Sequence, residues 1–547
     1  MNRLALGSFL FLGLACSEPP STPIPRAGTG DEPRYGGTLT VATFANIRGL
    51  DPQAAADALA AEIDEAVFAG LIDFDDKGAI VPDLAESYEL SKDGTTYTFH
   101  LRSGVLFHDG NELFARDVVR SIERALHADT PNPFASFFRR IEGFDDFQNK
   151  KTPHLVGATA PDDRTVVIHL SEPDATMLPL LALTNLRPVC ANAGATYSDT
   201  WLPCGAGPFK LEAGGWDRGR SVTIVRNKDY FRKGLPYLDR VTMLFNVNPV
   251  SQALRFRRGE IDIFRDISNG VGLQWLRDPR WKDNLFYEPP HSMGGFAMNT
   301  EMAPFDNVEV RRAVASAVNR EHYRLLKPTQ LTILGQAIPQ GVDGFNPRAA
   351  AQTFDRAAAL EHMKRAGYPF DPVTKKGGYP ETIRFVGYRQ GLIELEAQLL
   401  QQDLAEIGIR MEIALVSFPT YLAMTSQRKS VALSEQAWSA DFPEAYDFYE
   451  ALLTSRSIAD SGGSNAAFYN NPKFDSLVDD ARRELDREKR QKIYDQLSQI
   501  LVEDAPWAFV ESYRLLNATH GYVRGYRPHP TWARDYKSIW LDRGATQ

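Results

Sequence analysis

The sequence predicts an α/β fold spread over more than one domain, and three observations carry that expectation. Residues 96–101 alternate, with Tyr97, Phe99 and Leu101 on one side and Thr96, Thr98 and His100 on the other, which is the period of a half-buried strand. In residues 393–415, Ile393, Ala397, Leu400, Leu404 and Ile407 recur at helical spacing; Gly408 then breaks the helix, and Ile409, Met411, Ile413 and Leu415 alternate as a strand. Finally, 547 residues exceed what one compact core supports, so roughly two to four domains are expected.

Taken in order, Arg3 and the apolar run 4–15 before Cys16 have the charged start, short greasy core and small-residue cleavage position of an export signal. The run, about 12 residues, is too short to remain as a membrane-spanning helix. Residues 16–35, rich in proline and polar side chains, read as a tether. G-G-T-L-T-V-A at 36–42 reads as a strand. Asp93-Gly94 turns into the strand 96–101, a short apolar run at 105–107 ends at the Asp109-Gly110 turn, and 115–126 is a helix facing inward through Val118, Ile122 and Ala125. A strand follows at 165–170. Further on, Asp306 is placed to cap a helix with Glu309 in capping-box position and Val310, Val314 and Ala317 on its apolar face. Asp355 precedes another helix, which Gly367 closes. Residues 473–502 read as two charged amphipathic helices, and 506–510 as an apolar strand.

The chemistry that composition and motifs exclude is broad. A formal charge of −9 with scattered basic residues leaves no footprint for a phosphate backbone, so nucleic acid is not an expected partner. None of the ten histidines lies three or four residues from another, so no helical metal pair exists. There is no G-x-S-x-G elbow, no Walker loop and no G-x-G-x-x-G opening a helix. His108 in F-H-D-G reads as a satisfied structural histidine. The doublets Asp75-Asp76 and Asp479-Asp480 read as solvated positions, because adjacent side chains point in different directions. No cofactor, metal or enzymatic activity is expected.

The run V-P-D-L-A-E-S-Y-E-L-S-K-D-G-T-T-Y-T-F-H-L-R-S-G-V-L-F-H-D-G-N-E-L-F-A-R-D-V-V-R-S-I-E-R-A-L at 81–126 resembles the signature of family 5 extracytoplasmic solute-binding proteins, the oligopeptide, dipeptide and nickel receptors of ABC importers. Further landmarks at 205–241, 252–262 and 298–321 extend the resemblance over nearly all of the chain after the tether. It implies a two-lobed periplasmic-binding-protein-like fold of the class II type. Lobe I would hold 36–286 plus 512–547, with an inserted subdomain at 58–183, and lobe II would hold 287–511. Chain crossings at 287–290 and 510–512 would then form a hinge beside a ligand cleft. The partners implied are a small solute and a membrane permease with its ATPase, served by a monomeric receptor. L-G-L-A-C resembles a lipoprotein signal in which Cys16 is lipidated and anchors the chain to the membrane; Gly13 departs from that pattern, and a plain secretory signal is the alternative. In an exported protein, Cys190 and Cys204 are expected to form a disulfide across a loop-like segment, the alternative being two buried thiols.

Segment 437–449, A-W-S-A-D-F-P-E-A-Y-D-F-Y, is similar to the peptide-binder segment in which an aspartate, here Asp441 after Trp438, pairs with the ligand's α-amino group. A partly desolvated carboxylate facing an ammonium selects for a terminus; alternatively, Asp441 only caps the helix near Glu444. The resemblance further implies that Arg389 meets a peptide carboxylate, or lies on the surface. It places Phe44, Met293 and Phe296 at the cleft as adaptable apolar contacts, with core packing as the alternative for each. The expected ligand is a short peptide. Oligosaccharides, metal chelates, and a sensor or surface lipoprotein without a transport role stand as alternatives.

Overall fold

The computed structural model describes residues 32–55, 58–265, 267–529 and 535–543, so the export signal, Cys16 and most of the tether lie outside the described residues. Three sheets frame the rest. The first has seven strands, ordered Leu285–Tyr287, Leu516–Thr519, Ile263–Phe264, Thr38–Ala42, Arg240–Leu244, Ser221–Arg226 and Phe209–Asp217. The second has six, ordered Leu331–Ile333, Trp507–Tyr513, Ser292–Met298, Leu433–Ser439, Thr382–Tyr388 and Arg410–Val416. A four-stranded sheet, Ala85–Leu90, Thr96–Leu101, Thr165–His169 and Ala158–Thr159, is built wholly from the chain between Ala42 and Phe209, the first two strands of the first sheet in sequence order.

Two crossings join the first sheet to the second. The chain leaves at Tyr287, enters the second sheet at Ser292, leaves it at Tyr513 and re-enters the first at Leu516. They run side by side: the Glu288 N–H donates to the Leu515 carbonyl at 2.9 Å, and the Tyr513 N–H donates to Ser292 Oγ at 2.9 Å. The return therefore lies beyond the expected 510–512. Ser512 and Tyr513 still pair with Thr332 and Leu331, so the strand outlasts the apolar run that marked it.

Local chemistry explains most of the elements. Thr96–Leu101 buries Tyr97, Phe99 and Leu101 in one cluster with Val118, Ile122 and Ala125 of the helix Ala115–Ala125. Thr382–Tyr388, the helix Ile393–Ala405 and Arg410–Val416 make a β-α-β unit with parallel strands. Gly408 ends that helix at φ +82°, where an added Cβ would lie 2.6 Å from the Phe370 ring, so both backbone and space require glycine. One expected cap shifts by a residue. Asn307, not Asp306, caps Val308–Ala317 by accepting from the Glu309 N–H at 2.9 Å. Nor does Glu309 close a capping box; it reaches His362 at 2.7 Å and Arg365 at 2.8 Å on the next helix. Partial burial opposes its ionisation, yet those hydrogen bonds prevail and hold its pKa down at about 2. Asp355 caps the helix Arg356–Arg365.

His108 ties the signature turn to the second landmark. Its Nδ1 accepts from the Gly205 N–H at 3.2 Å and its Nε2 donates to the Gly207 carbonyl at 3.1 Å. Burial pushes its pKa down to about 4, so the ring is neutral.

The four-stranded unit also packs across onto the second-sheet region. Phe137 meets Phe442 edge to face with ring centroids 5.7 Å apart. Beside them Arg482 donates to Asp174 at 2.7 Å, to the Tyr446 hydroxyl at 2.9 Å and to the Phe137 carbonyl at 2.9 Å. Asp174 is fully buried. Removing one member of such a pair leaves a buried charge alone, at a cost of about 3–5 kcal/mol. Arg482→Ala is therefore expected to part these two units, read as a larger radius of gyration in small-angle scattering. Arg483→Ala, whose partner Glu172 is well exposed, is expected to leave the radius unchanged.

Candidate functional site

The second sheet opens into a cavity of about 330 Å³ beside the two crossings. It forms where a parallel strand ends. Thr382–Tyr388 stops at Tyr388, the loop 389–392 turns away, and the helix begins at Ile393, leaving a recess beyond the carboxyl end of the strand. Antiparallel pairing brings in the other walls, setting Glu435 opposite Phe296 and Glu511 opposite Gly294. Glycine is needed in the central strand: a Cβ on Gly295 would lie 2.2 Å from the Ala508 carbonyl oxygen, and one on Gly294 would press on the Glu511 side chain at 3.2 Å.

Charge is concentrated here. Lys327, only 2% exposed, places Nζ 2.8 Å from Glu396 and 2.7 Å from Glu511. Burial works against the ammonium, but the two carboxylates outweigh it and push the lysine pKa up. Burial also raises the Glu511 carboxyl, to about 7. Glu435, 8% exposed, is driven well above the carboxylate range by burial and by the neighbouring charge of Glu396. Three carboxyl groups thus surround one cation. The outer oxygens Glu435 Oε2 and Glu511 Oε2 are buried without a hydrogen-bond partner.

A second acidic pair stands at the far end of Leu433–Ser439. Asp447, fully buried on the helix Ala445–Leu453, accepts from the Trp438 indole N–H at 3.0 Å and from the Asp441 backbone N–H at 3.0 Å. Its burial drives the Asp447 carboxyl well above its ordinary range, while burial lifts Asp441 to about 7. Asp447 is the deeper member of the pair. Among the described residues no lysine or arginine forms an ion pair with Asp441. Nor does Asp441 cap the following helix; Glu444 does, accepting from the Tyr446 N–H at 2.6 Å.

The other expected site residues separate. Met293 lines the cavity though almost wholly buried, and pairs across the sheet with Trp438, which is half-buried. Phe296 corrects the expectation: it is sealed in the core with its ring against Tyr323 and Phe385, because it lies under the helices and not at the strand end. Phe44 is 51% exposed on the first-sheet side. Arg389 is exposed at the cavity's loop, which Tyr388, Gln390 and Gly391 line without it. Cys190 and Cys204 sit with Cα atoms 5.4 Å apart and their sulfurs within bonding distance. Sequence reasoning missed Lys327, Glu396, Glu435, Glu511 and Asp447. The available signal was a glutamate within each of two strand-like runs, L-S-E-Q-A-W and A-F-V-E-S-Y.

With this geometry in hand, the comparisons are direct. The model of the bacterial extracellular solute-binding proteins, family 5, middle region, matches residues 79–460. The chain belongs to that family. The glutathione-binding protein GsiB of Pectobacterium atrosepticum is 27% identical over 499 residues, covering 90% of this chain and 91% of its own. Heme-binding protein A of Haemophilus influenzae is 28% identical, covering 85% of both chains. Among solved structures, the periplasmic binding protein DppA of Helicobacter pylori in complex with the peptide STSA superposes with a TM-score of 0.75 at 24% identity, over 93% of this chain and 99% of that one. The two-lobed fold is shared with these proteins. Among the described residues no helix is long and apolar enough to cross a membrane.

Lys327→Met removes the only cation contacting Glu396 and Glu511 in this cluster and is expected to cost about 3–5 kcal/mol of stability. The orphaned carboxyls then carry folded-state pKa values above their unfolded ones, so their penalty is absent at low pH and grows as pH rises. Urea unfolding should accordingly show a smaller loss at pH 5 than at pH 8.

Proposed function

We propose that this chain is the substrate-binding receptor of an ABC importer and that its ligand is a short peptide held by its free amino terminus. The observation that carries the peptide reading is Asp441: a partly buried carboxyl just past a strand end, whose backbone is held by Asp447 beside Trp438, with its pKa raised to about 7, and with no ion-pair partner among the described residues. A ligand ammonium supplies the missing charge. The receptor performs no chemistry on its ligand. In this reading lobe I comprises 36–286 with the chain after the return crossing at 513–516, its inserted subdomain spans 58–183, lobe II comprises 287–513, and closure turns on the paired crossings. Phe44 faces the ligand from lobe I, Met293 and Trp438 from lobe II, and Arg389 meets the far end of the peptide. The receptor is exported, is anchored through lipid on Cys16 by the tether 16–35, and works as a monomer with the permease and ATPase.

Asp441→Ala is expected to weaken binding of trialanine by about 2–5 kcal/mol in calorimetry. N-acetylated trialanine should bind the wild type as weakly, and acetylation should make no difference to the variant. Unchanged affinity in Asp441→Ala would remove the anchor.

Because the ionised form binds, affinity for the free-amino peptide should also fall about tenfold for each pH unit below 7. The same fall in Asp441→Ala would assign the titration elsewhere.

The Cys190 and Cys204 pair is proposed as a disulfide. Denatured, unreduced protein should expose no titratable thiol from these two positions, and two reactive thiols would show them reduced.

A further inference from the structure

The acidic recess at the crossing end of the second sheet holds three carboxyl groups and, among the described residues, one cation in contact with them. Glu396, Glu435 and Glu511 share the single ammonium of Lys327, which touches only Glu396 and Glu511. Two carboxyl oxygens of that cavity, Glu435 Oε2 and Glu511 Oε2, are buried and have no hydrogen-bond partner. A buried carboxyl left so costs about 1–3 kcal/mol or more. The cavity, at about 330 Å³, is of the size small-molecule sites occupy. We propose that it is a subsite for an organic cation, the guanidinium or primary ammonium of a basic side chain on the ligand.

The geometry favours an organic cation over a metal ion. A metal needs its ligand atoms drawn together, yet among the described residues the only group of three or more His, Cys, Asp and Glu with ligating atoms all mutually within 4.8 Å is Asp109, Cys190 and Cys204. The three glutamates stand farther apart, as a forked, extended donor requires. Tyr388 and Tyr513 add aromatic walls; Lys327 Nζ already lies 5.1 Å from the Tyr513 ring centre, so the site accommodates cations against a π face. Glu435 and Ser439, four residues apart on one strand, have Cα atoms about 13 Å apart at ~3.3 Å per residue, and Asp441 lies just beyond that strand's end. No free amino acid bridges that distance. The two sites therefore engage separate parts of an extended ligand, which deepens and rests on the peptide reading above.

The test uses calorimetry with tetra-alanine, its four single-arginine derivatives, and agmatine as a cation without a peptide, on the wild type, Glu435→Gln and Asp441→Ala. Glu435→Gln keeps the shape of the side chain, and its thermal midpoint is checked first. One arginine derivative should bind the wild type at least about tenfold more tightly than tetra-alanine. Glu435→Gln should erase that preference while holding tetra-alanine as the wild type does, whereas Asp441→Ala should weaken all five peptides and keep the preference. Tetra-alanine binding with no arginine preference, or a preference that survives Glu435→Gln, would overturn the subsite. If no peptide binds at all, the peptide reading fails and agmatine decides alone: binding lost in Glu435→Gln sustains the cation subsite, and no agmatine binding overturns it.

Discussion

Everything in this structure turns on the chain having to leave one sheet and come back to it. The crossings after Tyr287 and after Tyr513 are held in register by the Glu288 N–H to Leu515 carbonyl bond and the Ser292 hydroxyl, side by side and antiparallel. Two short strands joined so closely bend together but do not slide apart. They join the sheets along one line, and they bring the carboxyl end of Thr382–Tyr388, the end of Leu433–Ser439 and the acidic recess to the same margin.

A second contact joins the two regions away from the crossings. The unit built on the four-stranded sheet reaches across and buries Asp174 against Arg482, with Phe137 on Phe442. Separating these surfaces returns both charges to water, where each is solvated, so the pair resists opening less than its short distances suggest. Its further hydrogen bonds, from the guanidinium to the Tyr446 hydroxyl and the Phe137 carbonyl, make the packing of these two units specific.

Two acidic sets stand on the second sheet. Just past the end of Leu433–Ser439, Asp441 lies beside the buried Asp447; in the cavity beside the crossings, three carboxyl groups outnumber Lys327. Carboxyl groups are in excess at both places. That sign is a property of the assembled face: in the chain the same residues are scattered from Lys327 to Glu511, among lysines and arginines that end up elsewhere.

Patterns of period two and near four, with glycines and caps between them, were legible from the residues alone. They located the strand at Thr96–Leu101, the β-α-β unit around Gly408 and the helix pair near the C-terminus, since each depends on neighbours in sequence. The motif around Trp438 and Asp441 was equally legible, because its parts lie within a dozen residues. By contrast, Asn307 displaced Asp306 as a cap once Glu309 was drawn to His362 and Arg365, a choice that hangs on a distant helix. Phe296 went into the core because its strand position falls beneath the helices, and the end of Trp507–Tyr513 was set by pairing with Leu331–Ile333. The sequence by itself determined the family and the α/β character. Only the tertiary structure decided where the chain crosses back and that Lys327, Glu396, Glu435 and Glu511 share one recess, since burial and pairing between remote segments leave no local periodicity to read.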